Sequence, residues 1–143
     1  MPVTFHQQDV TSSLLRGQKR KISEWINLVV ESEKRMTGNV SVILSAKAKM
    51  LKMNKTFLNH NYHTDIITFD YNRGNIVNGD LFIGIEQVLE NAKTYNTKSV
   101  NELQRVIIHG VLHLLGYPDS TEEQKKKMRE KEEWALEILN KLK

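Results

Sequence analysis

The stretch Val106-Ile107-Ile108-His109-Gly110-Val111-Leu112-His113-Leu114-Leu115-Gly116-Tyr117-Pro118-Asp119 decides how this chain is read. Apart from its two histidines, the run up to Leu115 is apolar almost all round, which predicts a helix buried inside the fold. His109 and His113 stand four residues apart, so on a helix their rings share one face, about one turn from each other. Gly116 is free to take a left-handed backbone and end the helix, and Pro118 prevents its continuation. The chain therefore turns sharply after His113, which lets Asp119 fold back toward the two imidazoles.

Working outward, that helix is predicted from about Val100 to Leu115, preceded by another over about 85–95. Val3-Thr4-Phe5-His6 alternates as a short strand. Residues 19–35 carry Ile22, Trp25, Ile26, Val29 and Val30 at helical spacing, with Thr37-Gly38-Asn39 as the stop. Val40 to Leu44 is β-branched and apolar and predicts a strand. Ala46 to about Thr56 is rich in helix formers. Asp65–Asp70 and Gly79–Gly84 read as strands joined by a turn-rich loop. If strands 40–44 and 65–70 are parallel neighbours, the helix between them makes a right-handed crossover. The last helix is expected to start near Ser120, with Ser120 and Glu123 as a capping box. Its run of Glu122, Glu123, Glu130, Glu132 and Glu133 against Lys125, Lys126, Lys127, Arg129 and Lys131 reads as a solvated, charge-balanced face. Met128, Ala135, Leu139 and Leu142 are its expected buried stripe. Strands mixed with helices and one hairpin predict a single α+β or mixed α/β domain over residues 1–143, read as α+β: a mixed, mostly parallel four-stranded sheet packed with helices, the two histidines on a buried helix of the C-terminal half.

Composition narrows the chemistry. The 143 residues are 39% hydrophobic and 27% charged, an ordinary globular balance. Lys+Arg exceed Asp+Glu by 21 − 17 = 4, a basic excess that permits a polyanionic partner. With 0 Cys, disulfides, thiolate metal sites, iron–sulfur clusters and thiol catalysis are excluded. Any metal site must use histidine and carboxylate. The first residues lack a basic segment followed by an apolar one, and no apolar run approaches the ~18 residues of a membrane helix. The expected location is cytoplasmic, without a membrane partner.

His109, His113, Gly116 and Asp119 fall at offsets 0, +4, +7 and +10. This is the H-x-x-x-H-x-x-G-x-x-ligand spacing of extended zincin sites, with aspartate in the last place. Two histidines from a helix and a third side chain from a glycine turn leave zinc a position for water, as hydrolytic sites do. The plainer alternative is a pair of core histidines, which would need several buried hydrogen-bond partners. In zincin proteases a glutamate general base follows the first histidine. Here Gly110 stands there and accepts no proton, which argues against a peptidase.

His109-Gly110-Val111-Leu112-His113-Leu114-Leu115-Gly116-Tyr117 closely resembles the signature of the YbeY family of metal-dependent, single-strand-specific endoribonucleases. Val40-Ser41-Val42, Met53-Asn54, Thr64-Asp65-Ile66-Ile67-Thr68-Phe69 and Gly79-Asp80-Leu81-Phe82-Ile83 follow that family's pattern in order, so the resemblance covers roughly residues 40–120. It implies one Zn²⁺ per chain held by His109, His113 and Asp119, and cleavage of single-stranded RNA. It further implies a role in rRNA maturation at the small-subunit 3′ end and in ribosome quality control, with the ribosome or small-subunit assembly factors as partners and no DNA substrate. Asp119 stands where the family commonly has a third histidine, and Leu58 where it often has an arginine thought to contact RNA phosphate. A non-catalytic RNA- or ribosome-binding module with a structural metal is the second reading, and a metallopeptidase the third.

The segment from Ala46 to Thr64 holds Lys47, Lys49, Lys52 and Lys55 and no acidic residue, interleaved with Phe57, His60, Tyr62 and His63. Lysines for phosphates and aromatics for unstacked bases are the elements of single-strand binding. A solvated helix face with Phe57 in the core is the alternative. The catalytic acid or base stays unassigned, with Asp65 and Asp80 as candidates by their place at strand starts.

Overall fold

The computed structural model describes residues 3–58 and 64–142; His60, Tyr62 and His63 lie outside them. In chain order the elements are β1 (Val3–Gln8), α1 (Lys19–Ser32), β2 (Met36–Ser45), α2 (Lys47–Leu58), β3 (Ile66–Asp70), β4 (Ile76–Gly84), α3 (Ile85–Thr94), α4 (Ser99–Leu114) and α5 (Glu122–Lys141). The strands form one four-stranded sheet in the order β1-β2-β4-β3. β1 and β4 run parallel to β2, and β3 runs antiparallel to β4. The sheet is thus mixed and mostly parallel, as the sequence predicts.

β2 and β3 are not neighbours, because β4 lies between them. The short loop after β3 keeps that strand hairpin-paired with β4, with Phe69 opposite Asp80. β4 is the longer of the two, and Val77, Leu81 and Ile83 are fully buried, so it takes the inner place. The five-residue β3 is left at the edge, where a short strand presents few unpaired backbone groups.

Two further boundaries differ from expectation. α1 ends at Ser32, and Lys34 at φ 59° reverses the chain, so Thr37-Gly38-Asn39 belong to β2. The capping box of α5 is Thr121 with Gln124: the Gln124 backbone N–H donates to Thr121 Oγ1 at 3.1 Å, and Gln124 Oε1 accepts from the Thr121 backbone at 3.1 Å. Both serine–glutamate and threonine–glutamine pairs satisfy the pattern, and the second is used; Met128, Ala135 and Leu139 face the core as expected. Leu142 is only half-buried.

Alternate side chains along the strands point to opposite faces. Val40, Val42, Leu44, Leu81 and Ile83 join α1, α4 and α5 in the main core. Ile67, with Phe69 and Phe82, packs on Met50 and Met53 of α2 on the other face. Trp25 of α1, fully buried, donates its indole N–H to the Ala135 carbonyl of α5 at 2.7 Å. α4 lies against β3 and β4 because Gly110 has no side chain: a Cβ there would sit 2.6 Å from Ile66 Cδ1 and 3.0 Å from Leu81 Cδ2.

Candidate metal centre

α4 reads at its C-terminal end as the sequence predicts. Gly116, at φ 101°, is the left-handed residue that closes the helix. Its N–H donates to the His113 carbonyl and that of Tyr117 to the Leu112 carbonyl, each at 3.0 Å, which is the Schellman pattern. The Asn72 side chain donates to the Leu114 carbonyl at 2.7 Å and ties the end of the helix to the β3–β4 loop. The turn delivers Asp119 to the histidines.

His109 Nε2 and His113 Nε2 are 3.0 Å apart, and Asp119 Oδ2 lies 3.2 Å from the first and 3.4 Å from the second. A tetrahedral zinc with bonds of about 2.0–2.1 Å sets its ligand atoms roughly 3.3 Å apart. The three donor atoms therefore already stand at the edge lengths such an ion requires, and these residues can hold a metal. Their side chains are 20%, 27% and 38% exposed, so the cluster is open to solvent on one side. A structural zinc site is normally closed by four protein ligands; among the described residues this cluster offers three.

The second nitrogen of His109 is also engaged. Nδ1 lies 2.5 Å from Glu132 Oε2 on α5. A carboxylate accepts, so Nδ1 carries the hydrogen and Nε2 is left to face His113 and Asp119. Glu132 Oε1 accepts from Arg105 Nη1 at 3.2 Å, and Arg105 grips Glu102 through Nε at 3.1 Å and Nη2 at 2.5 Å. Glu102 and Glu132 are each 3% exposed. The sequence reading places Glu132 on the solvated face of α5, and the structure corrects this. A cavity of about 570 Å³ opens beside the chain of ion pairs, walled by Tyr95, Asn101, Glu102, Arg105, Arg129 and Glu132.

These neighbours divide the two imidazoles. Burial pulls the His109 pKa down, but the hydrogen bond and charge of Glu132, with Asp119 and Asp65, more than offset it, so it is raised. Burial and the adjacent His109 lower that of His113. The two imidazoles are thus unequal, with His109 the more basic. Burial also raises the Asp65 carboxyl, despite the opposing pull of His109 and Arg105. Its Oδ2 accepts from Asn91 Nδ2 at 3.3 Å.

Asp80 pairs in register with Ser41 and lines a groove with Lys49, Phe57, Phe69, Tyr71 and Phe82 on the α2 face of the sheet. It is therefore across the sheet from the histidines. The predicted lysines all lie on α2, also on that face. Lys52 and Lys55 border one groove and Lys49 another, so the four do not form a single surface. Phe57, expected in the core on the plainer reading, is 63% exposed. The backbone of Leu58 ends α2.

The fold and this cluster define a class: α+β proteins with a mixed sheet and a buried helix whose histidines, with a carboxylate from the following turn, can hold a metal ion. Within that class the chain belongs to the YbeY family, since the family model described as endoribonuclease YbeY matches residues 3–143. The chain is 41% identical to the endoribonuclease YbeY of Parabacteroides distasonis, covering 97% of this chain and 96% of that protein. It is 44% identical to that of Christiangramia forsetii over 87% of each chain. The solution structure of TM1509 from Thermotoga maritima superposes with a TM-score of 0.68 at 28% identity, covering 96% of this chain and 88% of that one.

Proposed function

We propose that this chain is a zinc-dependent endoribonuclease that cuts single-stranded RNA, acting in rRNA maturation at the small-subunit 3′ end and in ribosome quality control. The observation that carries the reading is the convergence of His109 Nε2, His113 Nε2 and Asp119 Oδ2 at 3.0–3.4 Å in a chain of the YbeY family. The relatives named above are endoribonucleases by their names. The reading takes residues 1–143 as one cytoplasmic domain whose partners are rRNA and the ribosome or its small-subunit assembly factors. Two observations support this: a main core that gathers side chains from β1 through α5, and, among the described residues, no helix long and apolar enough to cross a membrane.

His109, His113 and Asp119 are the proposed ligands. Bound there, zinc would supply an acidified water and a positive charge for the phosphate. The residues of the chain prepare that chemistry. Glu132 keeps the hydrogen of His109 on Nδ1, away from the ligand side. Asp119 brings a negative charge to the ligand set. Asp65, with its raised carboxyl, is the nearby group suited to hold or move a proton. A glutamate at position 110 would be driven into Ile66, Leu81 and Thr68, so this helix face offers no peptidase base.

Lys47, Lys49, Lys52 and Lys55 are the proposed phosphate contacts. Their support is four positive charges on α2, which carries no acidic residue of its own; Glu86 Oε1, which accepts from the Lys47 backbone N–H, and Asp80, in the groove of Lys49, are the carboxylates that face them. The lysines lie on the α2 face of the sheet and the histidines on the α4 face, so RNA that touches both must pass around the sheet. The test uses the full chain with Zn²⁺ on an unstructured RNA, the same RNA as a duplex, and casein. Cutting of the first alone, stopped by chelation, is the expected result. Casein cleavage lost in His113→Ala would overturn the choice of substrate.

A further inference from the structure

We propose that Glu132 is a positioning residue for the metal centre and that Arg105, clamped by Glu102, holds it in place. Glu102, Arg105, His109 and His113 occupy one stripe of α4, at successive spacings of three, four and four residues. Glu132 enters that stripe from α5, bonding Arg105 through Oε1 and His109 Nδ1 through Oε2. One carboxylate therefore joins the metal-facing end of the stripe to its other end.

Three physical consequences follow. First, the His109 ring is fixed in rotation and tautomer before any ion arrives, which removes a cost that metal binding would otherwise carry. Second, a carboxylate on the ring's far nitrogen raises the basicity of the ligating nitrogen. Third, Glu132 cannot swing away, since its other oxygen is bonded to an arginine that is itself gripped through two nitrogens. Burying two carboxylates costs free energy that a solvated α5 face would not incur. Shielding the core does not explain it, because an apolar residue at position 132 would continue the stripe of Met128, Ala135 and Leu139.

This inference rests on the proposed metal reading, and the experiment separates the two. Glu132→Met is the main variant: it keeps the length of the side chain, suits the apolar stripe, and leaves Arg105 and Glu102 as a neutral pair. Glu132→Gln keeps an acceptor for Nδ1–H but not the charge. Long-range ¹H–¹⁵N NMR on the metal-stripped full chain, above the imidazole titration, reads the tautomer directly. Wild type should show His109 protonated at Nδ1, and Glu132→Met should show a mixture or the Nε2–H form. Zn²⁺ affinity, measured by competition with a chromophoric chelator, should fall about 10–100-fold in Glu132→Met and less in Glu132→Gln. Above the imidazole titration, where His109 is neutral, the metal-free melting temperature of Glu132→Met should not fall, which separates positioning from folding. If Glu132→Met does not fold, the tautomer and affinity of Glu132→Gln are read against wild type instead. An unchanged tautomer together with wild-type zinc affinity in a folded variant would overturn the proposal. Wild type that takes up no zinc would instead fail the metal reading, and the tautomer measurement would still decide whether Glu132 orients the ring.

Discussion

Glu132 and His109 are 23 residues apart in sequence and come from different helices, yet Glu132 Oε2 lies 2.5 Å from His109 Nδ1. That contact makes His109 the more basic of the two histidines and orients its free nitrogen toward His113 and Asp119. The proposed metal centre is thus built in two layers. The helix–turn of α4 brings the donor atoms together, and α5 determines how one of them is presented.

The ligand set has a direct test. Wild type should carry close to one zinc per chain, and His109→Ala or His113→Ala should lose most of it by elemental analysis. Asp119→Ala should weaken zinc binding and abolish RNA cleavage, whereas Asp119→His should retain the metal with a neutral donor in the same turn. Zinc affinity in Asp119→Ala equal to wild type would remove Asp119 from the site.

Gly116 tests the link between backbone and site. Among the described residues, and apart from its two chain neighbours, no atom lies within 4 Å of where its Cβ would be, so Gly116→Ala meets the strain of φ 101° rather than a clash with them. A left-handed residue with a Cβ costs about 1–2 kcal/mol. The melting temperature of the metal-free chain should fall accordingly. Zinc affinity should fall as well, because relaxation of the turn moves Asp119. A variant with wild-type melting and zinc affinity would show that the turn does not position the ligand.

The metal-free chain should show a pH signature. The folded His109 pKa is raised above its unfolded value of about 6.5, so folding is favoured by a proton on His109. That contribution is fully present below the unfolded value and is lost as pH rises through the folded one. Glu132→Gln weakens the interactions that raise it, so the loss, which begins near the unfolded value in both proteins, should be smaller and end at lower pH in the variant's melting curves. Identical pH profiles for the two proteins would show that Glu132 does not set the basicity of His109.

The lysines of α2 are tested by salt. Each phosphate contact on a single strand contributes roughly 0.7 to the slope of log affinity against log salt. Changing Lys47, Lys49, Lys52 and Lys55 to serine should flatten the slope by more than one unit. Lys47, Lys52 and Lys55 are exposed and Lys49 is half-buried; exposed substitutions usually alter stability by within about ±0.5 kcal/mol each. Changing Lys125, Lys126 and Lys127, which share α5 with Glu122, Glu123 and Glu130, should leave the slope nearly unchanged. The reverse pattern would move the RNA to α5.

The local geometry of residues 106–119 was legible without coordinates. Helical periodicity, a glycine able to turn left-handed and a proline that stops the helix act over a few neighbouring residues, so the sequence alone determines that His109, His113 and Asp119 converge. The class of fold was legible for the same reason, from strand and helix periodicities and one hairpin. Strand order was not. Whether β2 lies beside β3 or β4 depends on which strand buries more apolar surface between two layers of helices, and β4 takes that place. The α5 cap was ambiguous by one residue because two local pairs satisfy it equally. Glu132 left one faint mark: with Met128, Ala135 and Leu139 it falls on the single buried stripe of α5, a charge among apolar residues. Among so many neighbouring glutamates and lysines that mark reads as a solvated face. Only the packing of α5 on α4 decides that this glutamate is buried, because its partners Arg105 and His109 are 27 and 23 residues away in sequence and are brought to it by tertiary contact alone.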